Sequence, residues 1–141
     1  QQKGDLDRAV AGYRRTIALA EKDPRPYNNL AWIYAEQNRN LDEALRLAET
    51  ASRLAPASGA VLDTLGWVHY RRGAYAEAAR LLRQAADLER DNAAVQYHLG
   101  MAYYRLGRKA DATFALRRAL QLDANLAPAA EVRAILKELE G

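Results

Sequence analysis

A repeat of 34 residues is the feature of this sequence that most restricts its fold. Residues 64–73 read TLGWVHYRRG, and residues 98–107, 34 positions later, read HLGMAYYRLG. Small residues keep the same interval, since Ala78 and Ala112 lie 34 apart, as do Ala85 and Ala119. A fixed period of this length is typical of repeat proteins, in which each unit buries its apolar face against its neighbours.

The pattern continues upstream with one additional residue. Ala31 precedes Gly66 by 35 residues, and the interval from Ala31 to Ala44 is 13, whereas that from Gly66 to Ala78 is 12. The additional residue therefore lies in the polar turn NRN at 38–40.

Each repeat contains two helical patterns joined by a short turn. Apolar residues recur at intervals of three and four, and no stretch alternates with a period of two, so the sequence predicts an all-α fold. Asp23 before Pro24 suits an N-cap followed by proline in the first helical turn. Negative charge at the start of a helix is favourable. It occurs at the predicted start of each second helix, at Asp42, Glu43, Glu77 and Asp111.

Composition sets few further limits. A chain of 141 residues that is 50% apolar can bury a sizeable core and indicates a soluble globular chain. It has no cysteine, which excludes disulfides and thiolate chemistry. The net charge of +3 is spread without a basic block and gives little support to a nucleic-acid or membrane partner. The compartment stays open between cytoplasm and periplasm.

The repeat resembles that of the tetratricopeptide repeat (TPR) family, a helix-turn-helix unit with small, aromatic and alanine positions at fixed offsets. The departures are His69 for an aromatic residue, Ala48 for a large one, and Arg90 and Ala124 for proline. The resemblance implies a right-handed superhelical solenoid without catalytic activity. The matching residues are Leu30, Ala31, Tyr34, Ala44, Ala48, Ala51 and Pro56; Leu65, Gly66, His69, Ala78, Leu82 and Ala85; and Leu99, Gly100, Tyr103, Ala112, Leu116 and Ala119.

Both ends of the chain depart from a full repeat. Residues 4–20 match only a second helix, so we expect Gln1 to be a cut point in a longer protein and Gly141 to lie near the native end. The stripe of Val132, Ile135, Leu136 and Leu139 predicts a helix that covers the last repeat, as solenoids require. The expected single TPR domain over 1–141 divides into a second helix of a truncated repeat at 1–23, repeats at 24–58, 59–92 and 93–126, and a capping helix at 127–141.

Catalytic patterns are not found in the sequence. The two histidines fall in different repeats, and no phosphate loop or metal-binding helix motif occurs. We therefore expect no enzyme activity, no cofactor and no metal. His69 takes the place of a core aromatic residue and is interpreted as packed, whereas His98 is either a ligand contact or an exposed side chain.

Solenoids of this kind bind partners on the concave groove formed by successive first helices. Helical geometry turns Trp67, Tyr70 and Arg71 away from the repeat's own core, towards this groove. Trp, Tyr and Arg are common anchors of interfaces, and an aromatic strip in a solvated groove would form an exposed apolar patch. The alternative, that the tryptophans pack against neighbouring side chains, stays open. The predicted groove residues are Asn28, Trp32, Glu36, Asp63, Trp67, Tyr70, Arg71, Tyr97, His98, Met101, Tyr104 and Arg105.

The expected function is protein or peptide binding in this groove, as a scaffold or adaptor similar to bacterial family members. Family members that hold a peptide's C-terminal carboxylate do so with Lys and Asn, but Ala60 and Ala94 stand where those lysines would lie. An apolar segment with acidic residues that meet Arg71 and Arg105 fits better. The main alternative is a homo-oligomer formed through the groove or the bared N-terminal helix, and nucleic-acid binding is less favoured because acidic residues intersperse with the arginines.

Overall fold

The computed structural model describes residues 2–141, with side chains from Gly4 onward, and the predicted cut point at Gln1 lies outside these residues. The predicted all-α fold is confirmed, since every regular element of the described chain is a helix. The helices are α1 Gln2–Leu19, α2 Pro24–Gln37, α3 Leu41–Leu54, α4 Gly59–Arg71, α5 Tyr75–Leu88, α6 Ala93–Arg105, α7 Lys109–Leu122 and α8 Ala129–Glu140.

The helices pack in the order of the chain, which makes the molecule a solenoid. Each helix contacts the next one, and α4 also contacts α2 and α6, so the three form a side-by-side layer. We call α2, α4 and α6 the first helices, and α3, α5 and α7 the second helices. The division of the chain into repeats and a cap stays a prediction.

Side-chain caps set the start of every first helix. The predicted N-cap Asp23 accepts a hydrogen bond from the backbone N–H of Arg25 at 3.0 Å. Ser58 and Asn92 do the same at α4 and α6, each accepting from a backbone N–H at 3.2 Å. Each cap satisfies an N–H that has no partner within its helix, so the first helices start at defined residues.

Left-handed residues end the first helices and turn the chain into the second ones. Gly73 and Gly107 have φ of 84° and 77°, where a side chain would be strained. The first of these turns uses Asn38 and Asn40 instead, with φ of 53° and 51°. Asparagine tolerates this conformation better than most residues, and it is in this turn that the sequence carries its additional residue.

Close approach between the two helices of a repeat depends on small residues. A methyl group built on Gly66 would lie 2.7 Å from Cγ of Leu82, and one on Gly100 would lie 2.6 Å from Cδ2 of Leu116. In the preceding repeat Ala31 and Ala48 occupy the corresponding positions, and both are fully buried. The second helix thus carries leucine where the first carries glycine, and alanine where the first carries alanine.

Helix α8 packs on α7 through the predicted stripe. Val132, Ile135 and Leu136 are buried, whereas Arg133 and Lys137 are exposed. Two hydrogen bonds also tie α8 to α6, from the Tyr97 hydroxyl to Glu131 at 3.1 Å and from the Tyr104 hydroxyl to Glu138 at 3.0 Å. The helix therefore lies beside the last first helix and over the last second helix.

His69 lies at the position of the buried Tyr34 and Tyr103 but is only partly buried. Burial lowers the pKa of His69, outweighing the opposing effect of Glu77, so folding favours its neutral form. The resulting stabilisation is present above the unfolded-state pKa of about 6.5 and is lost as the pH falls through the lower folded-state pKa.

We expect His69→Tyr to reduce the loss of stability on acidification, because tyrosine does not titrate in this range and fits the two equivalent sites. Urea unfolding of both proteins at neutral pH and at a pH below the histidine range, but above that of the carboxylates, measures the effect. The wild type should lose more free energy of unfolding than the variant. Equal losses in the two proteins would show that His69 is not the source.

Candidate partner-binding groove

The predicted groove residues divide into a buried floor and an accessible rim. Trp67 and Met101 are each 3% exposed, His98 is 4% exposed and Tyr70 is 7% exposed. The expectation that these four side chains form an exposed apolar patch is wrong. Trp32, Asp63, Arg71 and Tyr97 are partly accessible, as are Asn28 and Tyr104, and Glu36 and Arg105 are exposed.

Neighbouring first helices bury Trp67. Its ring stacks on Tyr70 with centroids 4.3 Å apart and lies 4.2 Å from the ring of His98. Its indole N–H donates to Glu36 at 3.0 Å, and the Arg71 guanidinium lies 5.2 Å from the ring centroid. The packing alternative considered for the tryptophans is therefore what occurs at Trp67.

His98 joins α6 to α4. Its Nδ1 lies 2.8 Å from a carboxylate oxygen of Asp63, and the two side chains are 5% and 13% exposed. The His98 ring also lies 5.4 Å from that of Trp32, so it touches side chains of all three first helices. Both interpretations offered for His98 are wrong, because it is an internal packing residue of the groove floor.

Hydrogen bonds between adjacent first helices continue along the groove. Arg105 donates to the Tyr70 hydroxyl at 3.0 Å, and Arg71 lies 3.9 Å from the Glu36 carboxylate. Burial raises the pKa of Tyr97, and the nearby Glu131 adds to the shift, so its phenol stays neutral and donates to that carboxylate. Because these side chains are committed to one another, the floor is preorganised.

An open cleft of about 230 Å³ remains above this floor, near the N-terminal halves of the first helices. It crosses from α2 through α4 to α6, and small side chains at Ala60 and Ala94 keep it open. The side-chain oxygen of Asn28, at its edge, is buried and has no hydrogen-bond partner among the described residues. The lining residues, which we call the groove cleft, are Asn28, Asn29, Trp32, Ala60, Asp63, Thr64, Asn92, Ala94, Val95 and His98.

The sequence contained a signal for this cleft that was interpreted differently. Ala60 and Ala94, 34 residues apart, served only to show that the lysines of a carboxylate clamp are missing. Their small size also leaves a space in the groove. Thr64, Asn92 and Val95 were not among the predicted residues, and the structure brings them to the cleft together with Asn28, Trp32, Asp63 and His98.

Two other kinds of site were searched for in the described part of the chain. No three His, Cys, Asp or Glu side chains converge there as a metal-ligand group. None of its helices combines the length and the apolar character needed to cross a membrane.

Comparison with known families and proteins identifies the repeats. A family model described as TPR repeat matches residues 66–107, and a second, described as tetratricopeptide repeat, matches residues 93–126. A TPR repeat-containing protein of Pseudomonas aeruginosa, PA4667, is 32% identical over 77 residues. That match covers 55% of this chain but only 13% of the Pseudomonas protein, so this chain corresponds to a small part of that relative.

Solved structures of TPR proteins have the same arrangement of helices. A chain of the APC/C hetero-tetramer Cut9–Hcn1 superposes with a TM-score of 0.84 at 23% identity, over 97% of this chain and 27% of that one. YrrB, described as a TPR protein with an unusual peptide-binding site, gives a TM-score of 0.71 at 26% identity, over 83% of this chain and 60% of its own.

Proposed function

Because this chain is a tetratricopeptide repeat protein, a type generally used for protein binding, we propose that it binds an extended segment of a partner protein in the groove cleft. The observation that carries the proposal is the position of the cleft, which crosses all three first helices above a rigid floor. The family is typically non-catalytic, and we propose a scaffold or adaptor role without chemistry.

The dimensions of the cleft suit a short peptide. Helix axes that pack side by side lie about 8–10 Å apart, so a path across three of them is roughly 20 Å long. An extended chain advances about 3.3 Å per residue, so about six residues would cross the cleft. The peptide-binding site named for YrrB supports this mode of binding in a related fold.

The lining of the cleft suits a partner that presents both polar and apolar groups. Trp32 offers part of an aromatic surface, while Asn28 and Asp63 offer acceptors for backbone N–H groups. At the other end of the groove Arg71 and Arg105 remain partly accessible, although each already has a partner. We therefore expect polar backbone contacts along the cleft and a carboxylate of the ligand near the arginines.

The cleft can be blocked without disturbing the core. Ala60 and Ala94 are exposed and lie in the first turns of α4 and α6, where glutamate is favourable at a helix N-terminus. We expect the double variant Ala60→Glu, Ala94→Glu to keep its thermal stability and to bind peptides selected against the wild type at least about tenfold more weakly. Selection from a random peptide library, followed by fluorescence anisotropy, measures this.

Ala76→Glu provides the matched control, because Ala76 is equally exposed in the first turn of the second helix α5. Peptides that bind all three proteins alike would count against the groove. Light scattering over a concentration range tests the alternative of self-assembly, and a homo-oligomer that the blocked variant disrupts would favour that alternative.

A further inference from the structure

Phe114 is an exposed aromatic residue that the packing of the repeats does not require. It lies on α7 with 73% of its surface accessible. The equivalent positions in the two preceding repeats carry Arg46 and Arg80, which are also exposed. A charged side chain thus satisfies the fold at this position. The groove cleft contains no residue of α7, so Phe114 belongs to a different surface.

Two clefts lie on either side of Phe114. The larger, of about 850 Å³, runs along α7 between Lys109 and Gln121 and reaches Leu139 of α8. The smaller, of about 460 Å³, lies between α5 and α7 and has Ala86, Leu99 and Ala115 among its lining residues. A protruding aromatic ring with a depression on each side offers a shape that side chains of a partner can fill.

Positive charge predominates around both clefts. Five cationic residues line them against two acidic ones, Asp87 and Asp111. Three of the five already pair, because Arg117 binds Glu140, Arg118 binds Asp91 and Arg83 lies near Asp87. Among the described side chains, Lys109 and Arg90 make no ion pair. One lines the larger cleft and the other lines the smaller, so an uncommitted cation stands on each side of Phe114.

We propose that Phe114 and its two clefts bind an acidic amphipathic helix of a partner protein. Apolar side chains of that helix fill the clefts beside Phe114, and its carboxylates pair with Lys109 and Arg90. A second copy of this chain fits less well, because it would bring the same excess of cations to the interface. Depressions suit side chains better than a flat lipid surface, and Asp87 and Asp111 oppose the phosphates of a nucleic acid.

This surface is independent of the groove cleft, so the protein can hold two partners at once, one on its first helices and one on α7. A test of the second surface therefore uses variants that leave the groove unchanged. Phe114→Ala removes the aromatic anchor, and Leu88→Ala, at a leucine of α5 that is 52% exposed, is the matched control.

The probes are two fluorescein-labelled synthetic helices of about 18 residues with the same Leu and Phe face, one with glutamates and the other with lysines on its polar face. We expect the glutamate peptide to bind the wild type with an affinity that falls as salt is added. Phe114→Ala should weaken this binding at least about tenfold, the usual loss for one aromatic anchor, and Leu88→Ala should not. The double variant Lys109→Glu, Arg90→Glu should instead prefer the lysine peptide.

Three results would overturn the proposal. The first is a glutamate peptide that does not bind, or that binds Phe114→Ala as well as the wild type. The second is a double charge variant with unchanged preference. The third is stronger, Phe114-dependent binding to phosphatidylglycerol vesicles or a single-stranded oligonucleotide, or Phe114-dependent self-association, any of which would assign the surface to another partner.

Discussion

Alanine at Gly66 is expected to destabilise the wild-type protein and to stabilise a protein that carries Leu82→Ala. In the wild type the new methyl group would lie 2.7 Å from Cγ of Leu82 and 3.3 Å from its backbone nitrogen. Overpacking of this kind costs about 1–3 kcal/mol, and the better helix propensity of alanine returns up to about 1 kcal/mol. The net effect in the wild type should be a loss of stability.

The second background reverses the sign because the leucine is gone. Leu82 is fully buried, so Leu82→Ala alone should cost about 2–5 kcal/mol and leave a space facing Gly66. The added methyl group then enters that space and keeps its helix-propensity advantage. The double variant reproduces the pair Ala31 and Ala48 of the preceding repeat, which shows that this fold accommodates alanine at both positions.

Urea unfolding followed by circular dichroism gives the four free energies of the double-mutant cycle. The expected stability order is wild type, Gly66→Ala, the double variant and Leu82→Ala. If Gly66→Ala changed the free energy of unfolding by the same amount in both backgrounds, the two side chains would not be coupled, and the pairing of small and large residues would lose its explanation.

Trp67→Ala is expected to cost about 3–5 kcal/mol of folding free energy, as large aromatic truncations in cores do. The variant loses the stacked contact with Tyr70 and the contact with His98, and it leaves Glu36 without the indole N–H. A loss of this size would lower the melting temperature by roughly 10–20 °C in a domain of this length.

Trp32→Ala is the internal comparison, because Trp32 is only partly buried and lines the accessible cleft. We expect a smaller loss of stability there and a larger loss of peptide binding. Calorimetry of both variants separates the two roles. Similar melting temperatures for the wild type and Trp67→Ala would contradict the assignment of Trp67 to the floor. Substitution of Trp67 therefore does not isolate binding from folding.

The contrast between the two tryptophans shows what the sequence predicts and what it does not. The period of 34 residues, the cap at Asp23 and the stripe on α8 are local patterns, and each was found where it was expected. The close approach at Gly66 and Gly100 also followed from their recurrence. All of these features depend on spacing within a helix or between equivalent positions.

The burial of Trp67 depends on a distance that no single repeat contains. Helical periodicity gave the direction of its side chain relative to the core of its own repeat, and that direction leads to the groove. Whether the groove leaves it exposed depends on the side chains of the adjacent first helices, above all Glu36 and His98. The contacts that cover Trp67 therefore could not be predicted from its own helix.

The hydrogen bonds between neighbouring first helices have a consequence for the way the array unfolds. In a solenoid, stability is the sum of the stability of each unit and the coupling between adjacent units. Polar pairs such as His98 with Asp63, and Arg105 with Tyr70, add to the coupling without adding to any one unit. Strong coupling suppresses fraying from the ends, so the layer of first helices opens as one cooperative block.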